Sequence, residues 1–223
     1  MSRQGCFLVL EGVDGAGTTT QANVLADAMT QSGREVVLTR QPSAGPVGRL
    51  LRQALSHQIA DEHQKPLRLD WRALALLFSA DRVDHVVRVI EPALRRGALV
   101  VCDRYDLSGL IYQSLTSPEG DQSLPWLREL NRHAVRPHLT LVLTLAAEEA
   151  ASRRASRAQE AELYEESELQ TRLAVAYERA RHFLPDDRIE IIPGRGSREE
   201  VAARIARSLD LVPEFASWAR SGG

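Results

Sequence analysis

Five short apolar runs most constrain what this chain can become: Cys6–Leu10, Glu35–Thr39, Ala98–Cys102, Leu139–Leu145 and Arg188–Ile192. Near-continuous apolar runs of this length suit strands buried on both faces, and the longer segments between them carry helical periodicity. Strands alternating with helices imply parallel pairing and a layered α/β fold. The expectation is a five-stranded parallel sheet with helices on both faces and a ligand cleft at the C-terminal ends of the strands. The 223 residues suffice for one domain with a sizeable core, and no internal repeat or low-complexity segment divides them.

The helical segments carry their own signals. Thr18 to Ser32 opens after a glycine-rich stretch and stops at Gly33. Trp71 to Arg96 has an apolar stripe through Leu74, Leu77, Phe78, Val83, Val86, Val87 and Ile90, and Pro92 is expected to kink or re-cap it near its end. Ser197-Arg198-Glu199-Glu200 is a capping box that opens a last helix. Glu148 to Glu166 is rich in Glu, Arg and Ala, so one wide side of it must face water; it reads either as a solvated surface helix or as a mobile cover over a site. Residues 219–223 are expected to form a flexible tail.

Composition narrows the partners. Hydrophobic residues at 43% and charged residues at 26% are those of an ordinary globular chain, and a formal net charge of -2 does not favour a nucleic-acid polymer. Cys6 and Cys102 both lie in apolar runs and read as buried free thiols. The run Cys6–Leu10 is too short for a signal peptide, and no stretch approaches the ~20 apolar residues of a membrane span. A cytoplasmic protein without a membrane partner is the expectation.

Between the first strand and the first helix lies GVDGAGTTTQ, Gly12 to Gln21. Gly12 and Gly17 stand at the spacing of a phosphate-binding loop and Thr19 takes its Ser/Thr position, but Thr18 stands where the loop lysine belongs. Glycines let successive backbone N–H groups surround an anion, and the helix N-terminus adds partial positive charge. Gly12, Gly15, Ala16, Gly17, Thr18, Thr19 and Thr20 are therefore the candidate triphosphate site, with the Thr19 hydroxyl available to Mg²⁺. None of these parts needs the lysine side chain; catalysis does, because its ammonium follows charge moving between the β- and γ-phosphates. Lys65 is the only lysine in the chain, so a replacement cation should be an arginine. A glycine-rich turn without a ligand is the bland alternative.

Three further stretches bear on that choice: TRQPSAGPVGRLLR (39–52), LFSADR (77–82) and DRYDLSGLIYQ (103–113). Together with EGVDGAG (11–17), and in this order, they resemble the thymidylate kinase family, over nearly the whole chain. The resemblance implies a P-loop nucleoside monophosphate kinase fold, ATP and dTMP as substrates, Mg²⁺ and a homodimer. It implies that Phe78 stacks on the thymine ring and that Arg82, one turn along the same helix face, reaches a base oxygen. Arg104, helped by Arg52, would hold the dTMP phosphate; Ser108 and Gln113 would line the acceptor site, and Tyr112 would crowd the 2′ position. Asp14 would lie near the sugar 3′-hydroxyl and the metal, and Asp103 would order Mg²⁺. Residues 147–166 fall where the family has its lid, and in bacterial-type members that lid brings an arginine to the transferring phosphate; Arg153 and Arg157, at i, i+4 spacing, are the candidates beside Arg154.

The individual residues also admit bland readings. Phe78 on an apolar stripe could be core, and Arg82 beside Asp81 and Asp84 could sit in an exposed ion pair. The chain also departs from the family pattern. Gln41 replaces a common glutamate and Ser43-Ala44 a glycine pair. Gly109 stands where Ser or Asn is usual, Thr144 where aspartate is frequent, and Leu163 where a lid arginine is common. Two rival functions follow from these departures: a non-catalytic nucleotide-binding relative, or a kinase for a different or modified nucleoside monophosphate.

Overall fold

The computed structural model describes residues 5–155 and 167–220. Five strands form one parallel sheet: β1 (Cys6–Gly12), β2 (Val36–Arg40), β3 (Leu99–Asp103), β4 (Leu139–Thr144) and β5 (Ile189–Pro193), in the order β2-β3-β1-β4-β5. The described helices, in chain order, begin with α1 (Thr18–Gln31), α2 (Pro46–Leu55), α3 (Trp71–His85), α4 (Glu91–Arg95), α5 (Asp106–Thr116) and α6 (Leu124–Leu130). They continue with α7 (Ala147–Ala155), α8 (Ser167–Glu178), α9 (Ala180–Phe183), α10 (Arg198–Leu209) and α11 (Pro213–Arg220).

β1 is buried along its whole length, because β3 and β4 flank it and helices cover both of its faces. Cys6, Leu8 and Leu10 share a core cluster with Ala22 and Leu25 of α1, while Phe7 and Val9 share another with Val86, Ile90 and Ala93. That is the period-2 alternation of a strand between two apolar layers. The loop after β1 therefore opens in the middle of the edge where sheets of this kind bind ligands. Cys6 and Cys102 are buried free thiols, and burial pushes the Cys6 thiol up to about 12.

The stripe expected over Trp71 to Arg96 is interrupted. α3 gives way to a π-helical turn, Val86–Ile90, before α4 resumes with Pro92 in its first turn. Proline has no N–H to serve the carbonyl a turn behind it, so the backbone widens just ahead of it; the Glu91 N–H bonds to the Val86 carbonyl instead. The wider turn buries Val86 and Ile90 and leaves Val87 in solvent. At Ser197 the capping box is formed: Glu200 N–H donates to Ser197 Oγ at 3.2 Å and Ser197 N–H donates to Glu200 Oε2 at 2.7 Å.

The C-terminal stretch docks under the N-terminal ends of the strands. Phe215 and Trp218 are buried, and the Trp218 indole N–H donates to the Gly97 carbonyl at 2.9 Å. The Arg34 guanidinium lies 5.2 Å from the Trp218 ring. Ala219 and Arg220, placed in a tail by the sequence reading, are the last residues of α11, because Trp218 pins the turn that carries them. Residues 221–223 lie outside the described residues, as do Arg157 and Leu163. No helix among the described residues is long and apolar enough to cross a membrane.

Candidate active site

The glycine loop joins β1 to α1 by close approach. A Cβ on Gly12 would stand 2.6 Å from the Leu143 carbonyl oxygen. Gly15 has φ 95 and sits under α7, where a Cβ would come within 2.5 Å of the Ala150 carbonyl oxygen. Gly17, φ 96, precedes α1, and among the described residues no side-chain cap bond is made there, which leaves the first N–H groups of the helix for an anion. Thr18 is buried, with its methyl packed beneath the loop beside Gly12. Its N–H remains, but it offers no cation.

Beside the loop is a cavity of about 320 Å³ lined by Thr19 and Asn23 of α1 together with Arg40 and Asp103 at adjacent strand ends. Thr19 Oγ1 donates to Asp103 Oδ2, while the buried Asp103 Oδ1 has no hydrogen-bond partner among the described residues. No group of three or more His, Cys, Asp or Glu among those residues could cage a metal alone. A hydroxyl and one under-used carboxylate fit Mg²⁺, which takes one or two protein ligands and fills its other positions with phosphate oxygens and water.

Asp14 and Arg104, far apart in sequence, meet as an ion pair at the mouth of the cleft. Arg104 has φ 67, a left-handed conformation uncommon for a residue with a side chain, and its N–H donates to the Leu10 carbonyl at 2.8 Å. That twist directs the guanidinium to Asp14, to Ser108 Oγ at 3.2 Å and to the Tyr177 hydroxyl at 3.0 Å. Burial works against the Arg104 charge, but Asp14 and the surrounding phenols and carboxylates outweigh it and hold its pKa well above the usual value. The Tyr112 hydroxyl donates to Asp14 Oδ2 at 3.2 Å, and burial raises the Tyr112 pKa well above that of a free phenol.

Sequence reasoning missed the floor of this network. Glu11, fully buried, accepts from the N–H groups of Tyr105 at 2.8 Å and Ser108 at 3.2 Å, and from the Ser108 hydroxyl. Burial raises its pKa against the pull of those donors and of Arg104. A charged residue directly after the apolar run Cys6–Leu10 and directly before Gly12 was the available signal. Tyr177 in α8 had none.

At the other end of the cleft, Phe78 is half-buried at the edge of the main core, neither sealed in it nor free of it. Arg82 is fully buried, which removes the exposed ion-pair reading. Its Nη1 donates to Asn131 Oδ1, its Nη2 donates to the Tyr105 carbonyl at 3.0 Å, and its guanidinium lies 5.4 Å from the Tyr105 ring. Asp84 pairs with Arg88 instead, and Asp81 is engaged elsewhere. Gly109 makes room for this pose: a Cβ there would be 3.2 Å from Arg82 Nη2. Gln113 and Tyr112 are buried on α5, which faces α3. Arg52 of α2 donates from Nη1 to the carbonyls of Pro42 at 2.8 Å and Ser43 at 2.7 Å.

Arg153 pairs with Glu149 along α7, with N···O 2.6 Å, and reaches the Gly194 carbonyl at 3.2 Å. Gly194 lies against the Ala16 carbonyl, so Arg153 stands behind the glycine loop, on the β5 side. Thr144, where aspartate was the family expectation, ends β4 half-buried. One cleft thus holds an uncapped helix N-terminus, a hydroxyl–carboxylate pair and a set of arginines.

A sequence model of the thymidylate kinase family matches residues 10–205. The chain is 39% identical over 199 residues to a probable thymidylate kinase of Pyrococcus abyssi, covering 89% of this chain and 92% of the relative. It is 38% identical over 197 residues to one of Thermococcus gammatolerans, covering 88% and 92%. A thymidylate kinase of Rhizorhabdus wittichii is 36% identical over 213 residues, 94% of this chain and 99% of its own length. Matches of this extent take in the glycine loop, the Asp14–Arg104 pair and both helices that line the cleft: this chain belongs to the thymidylate kinase family.

Proposed function

We propose that this chain transfers the γ-phosphoryl group of ATP to dTMP, giving dTDP and ADP. The observation that carries the reading is the Asp14–Arg104 pair, which joins the donor loop to the strand end facing the acceptor. In the reaction an oxygen of the dTMP phosphate attacks the γ-phosphorus in line, and the bond from that phosphorus to the β–γ bridging oxygen breaks, leaving ADP. Little covalent work falls to the protein, which positions the two phosphates and neutralises charge.

The loop N–H groups from Gly12 through Thr20 hold the triphosphate. Arg104 and Arg52 hold the acceptor phosphate. Phe78, Arg82, Ser108, Tyr112 and Gln113 form the nucleoside site, and Asp14 orients Arg104 between the two ends. Thr19 and Asp103 would hold Mg²⁺, which when bound supplies charge neutralisation across the β- and γ-phosphate oxygens. The segment 147–166 acts as the lid of a bacterial-type member, and its face carrying Arg153 and Arg157 supplies the charge that Thr18 lacks.

A homodimer is part of the same reading. Leu76 (52% exposed), Val83 (42%) and Val87 (58%) form an apolar stripe along one side of α3 and its π turn, with Leu50 (43%) on the neighbouring α2. A stripe of this kind, on a chain whose charged surface is otherwise ordinary, suits a second copy packing against it. The cytoplasm, where ATP and nucleoside monophosphates are found, is the proposed location. ADP release measured over several nucleoside monophosphates tests the activity: turnover with dTMP supports it, and turnover with none of them returns the chain to a binding role.

A further inference from the structure

Asp81 is 1% exposed, yet no arginine, lysine or histidine among the described residues forms an ion pair with it. Its sequence neighbour Arg82 turns away to Asn131 and Tyr105. A buried carboxylate without a counter-ion is costly unless donors satisfy it. Here both donors come from one residue: Ser43 N–H to Oδ2 at 2.8 Å and Ser43 Oγ–H to Oδ1 at 2.5 Å. The same Ser43 Oγ accepts from the N–H of Gly45, the residue before α2, at 3.0 Å. Gly48 lets α2 close over this clamp, since a Cβ there would lie 2.1 Å from the Ser43 carbonyl oxygen and 2.8 Å from Asp81 Oδ1.

The carbonyls of Pro42 and Ser43 in turn take Nη1 of Arg52. The other N–H groups of that guanidinium have no partner among the described residues. A fork held by one tine keeps the rest in a fixed direction.

We propose that Asp81 is the positioning residue for Arg52. By locking the Ser43 main chain it sets the two carbonyls that orient the guanidinium toward the acceptor phosphate. This rests on the reading above, in which Arg52 meets that phosphate. It extends that reading, because consecutive residues of α3 then set the two ends of the acceptor: Asp81 sets the phosphate arm through Ser43, and Arg82 lines the base end. The distance between base and phosphate becomes a property of one helix, and a nucleoside monophosphate of one length is selected.

The test compares dTMP with thymidine, which lacks only the phosphate, by calorimetry on wild type, Asp81→Asn, Arg52→Ala and the double variant. Asp81→Asn should weaken dTMP binding by about tenfold and leave thymidine within about twofold. Turnover at saturating dTMP should change far less than KM, and the double variant should bind dTMP no worse than Arg52→Ala. Equal losses for both ligands, or losses that add in the double variant while Arg52→Ala alone weakens dTMP, overturn the positioning role. Wild-type dTMP binding by Arg52→Ala overturns the reading beneath it. If Asp81→Asn does not fold, Ser43→Ala, which removes one of the two donors, decides by the same comparison. A loss of about threefold confined to dTMP supports the role, and no loss overturns it.

Discussion

Thr18 is the residue at which binding and catalysis come apart. Its side chain is packed under the loop, so the amides that would grip a triphosphate keep their places while the usual ammonium is missing. Of the described arginines near the cleft, Arg104 is tied to Asp14 and Arg153 to Glu149. Arg40 lines the cavity beside the loop and Arg52 is committed through Nη1 alone, so the proposed source of the missing cation, the arginines of the segment 147–166, has to be tested against them. Replacing Arg153, Arg154 and Arg157 by alanine in turn should reveal at least one variant whose kcat falls by about 10²-fold with ATP affinity nearly kept. In a Thr18→Lys background the same change should cost under about tenfold, because the two cations then serve the same charge. Steady-state ADP release decides it, and wild-type kcat in all three single variants rules the lid arginines out. Several of the partnerships in this cleft could not be read from the sequence. Asp14 and Arg104 are distant in the chain and meet only because β1 and β3 pair with Leu10 beside Asp103. Arg82 has acids at i−1 and i+2, which look like partners in a string of letters, but those positions point elsewhere on a helix. Glu11 was visible, yet its use depends on a left-handed Arg104 that returns the Tyr105 and Ser108 N–H groups to it.

The elements were more legible than the contacts between them, for a physical reason. The central strands β1, β3 and β4 are buried along nearly their whole length and so are apolar almost throughout, while the edge strands β2 and β5 are only partly buried yet keep enough apolar residues to be seen. All five appeared as runs whose limits fall within two residues of the strands. The π turn was not visible beyond its proline, since periodicity cannot say on which side of Pro92 the helix widens. Two elements carry predictions of their own. At the end of α3, His85 is buried between Thr39, 2.7 Å from Nε2, and Gln41, 3.2 Å from Nδ1. Burial lowers its pKa below the ordinary 6.5; Arg82 lowers it further, and Asp81 and Asp84 only partly oppose this. A depressed folded pKa means that the unfolded chain takes up the proton first. Stability is therefore complete above about 6.5 and is lost as pH falls from there through the folded value. Thermal melts between pH 7.5 and 5 should show a decline in wild type that is smaller in His85→Gln; parallel declines would exclude this histidine. The C-terminal α11 lies beyond residues 10–205, the span matched by the family, yet buries Phe215 and Trp218. Trp218→Ala should cost about 3–5 kcal/mol, read as a lower denaturant midpoint with the glycine loop untouched. A loss under about 1 kcal/mol would make the helix an ornament of the surface.

In the whole molecule, α3 stands between two requirements. Its inner side carries Asp81, Arg82 and His85, all buried and all holding segments of the cleft in place. Its outer side presents Leu76 and Val83 to solvent, and the π turn that follows continues the stripe with Val87. A helix with apolar residues on the side away from its own core is a helix awaiting cover, and its neighbour α2, which bears Arg52, shares the exposed patch through Leu50. A second copy meeting this surface across a two-fold axis would bury the stripe against itself and steady the helix pair that holds the acceptor nucleotide. A stable interface hides about 1,200–2,000 Å² in total, so the proposed dimer would draw on α2 as well as on the stripe. Charge in the centre of such a patch is expelled from an interface, so if the wild type forms the proposed dimer, Val83→Arg should be a monomer in light scattering. Because position 83 faces away from the cleft, the glycine loop should keep its affinity for ATP. The dTMP KM should rise by about threefold or more as α2 and α3 loosen, and it should recover in part at high protein concentration if any dimer reforms. A wild-type chain that is monomeric, or a Val83→Arg dimer with unchanged KM, would mean that the outer face of α3 has no part in holding the site.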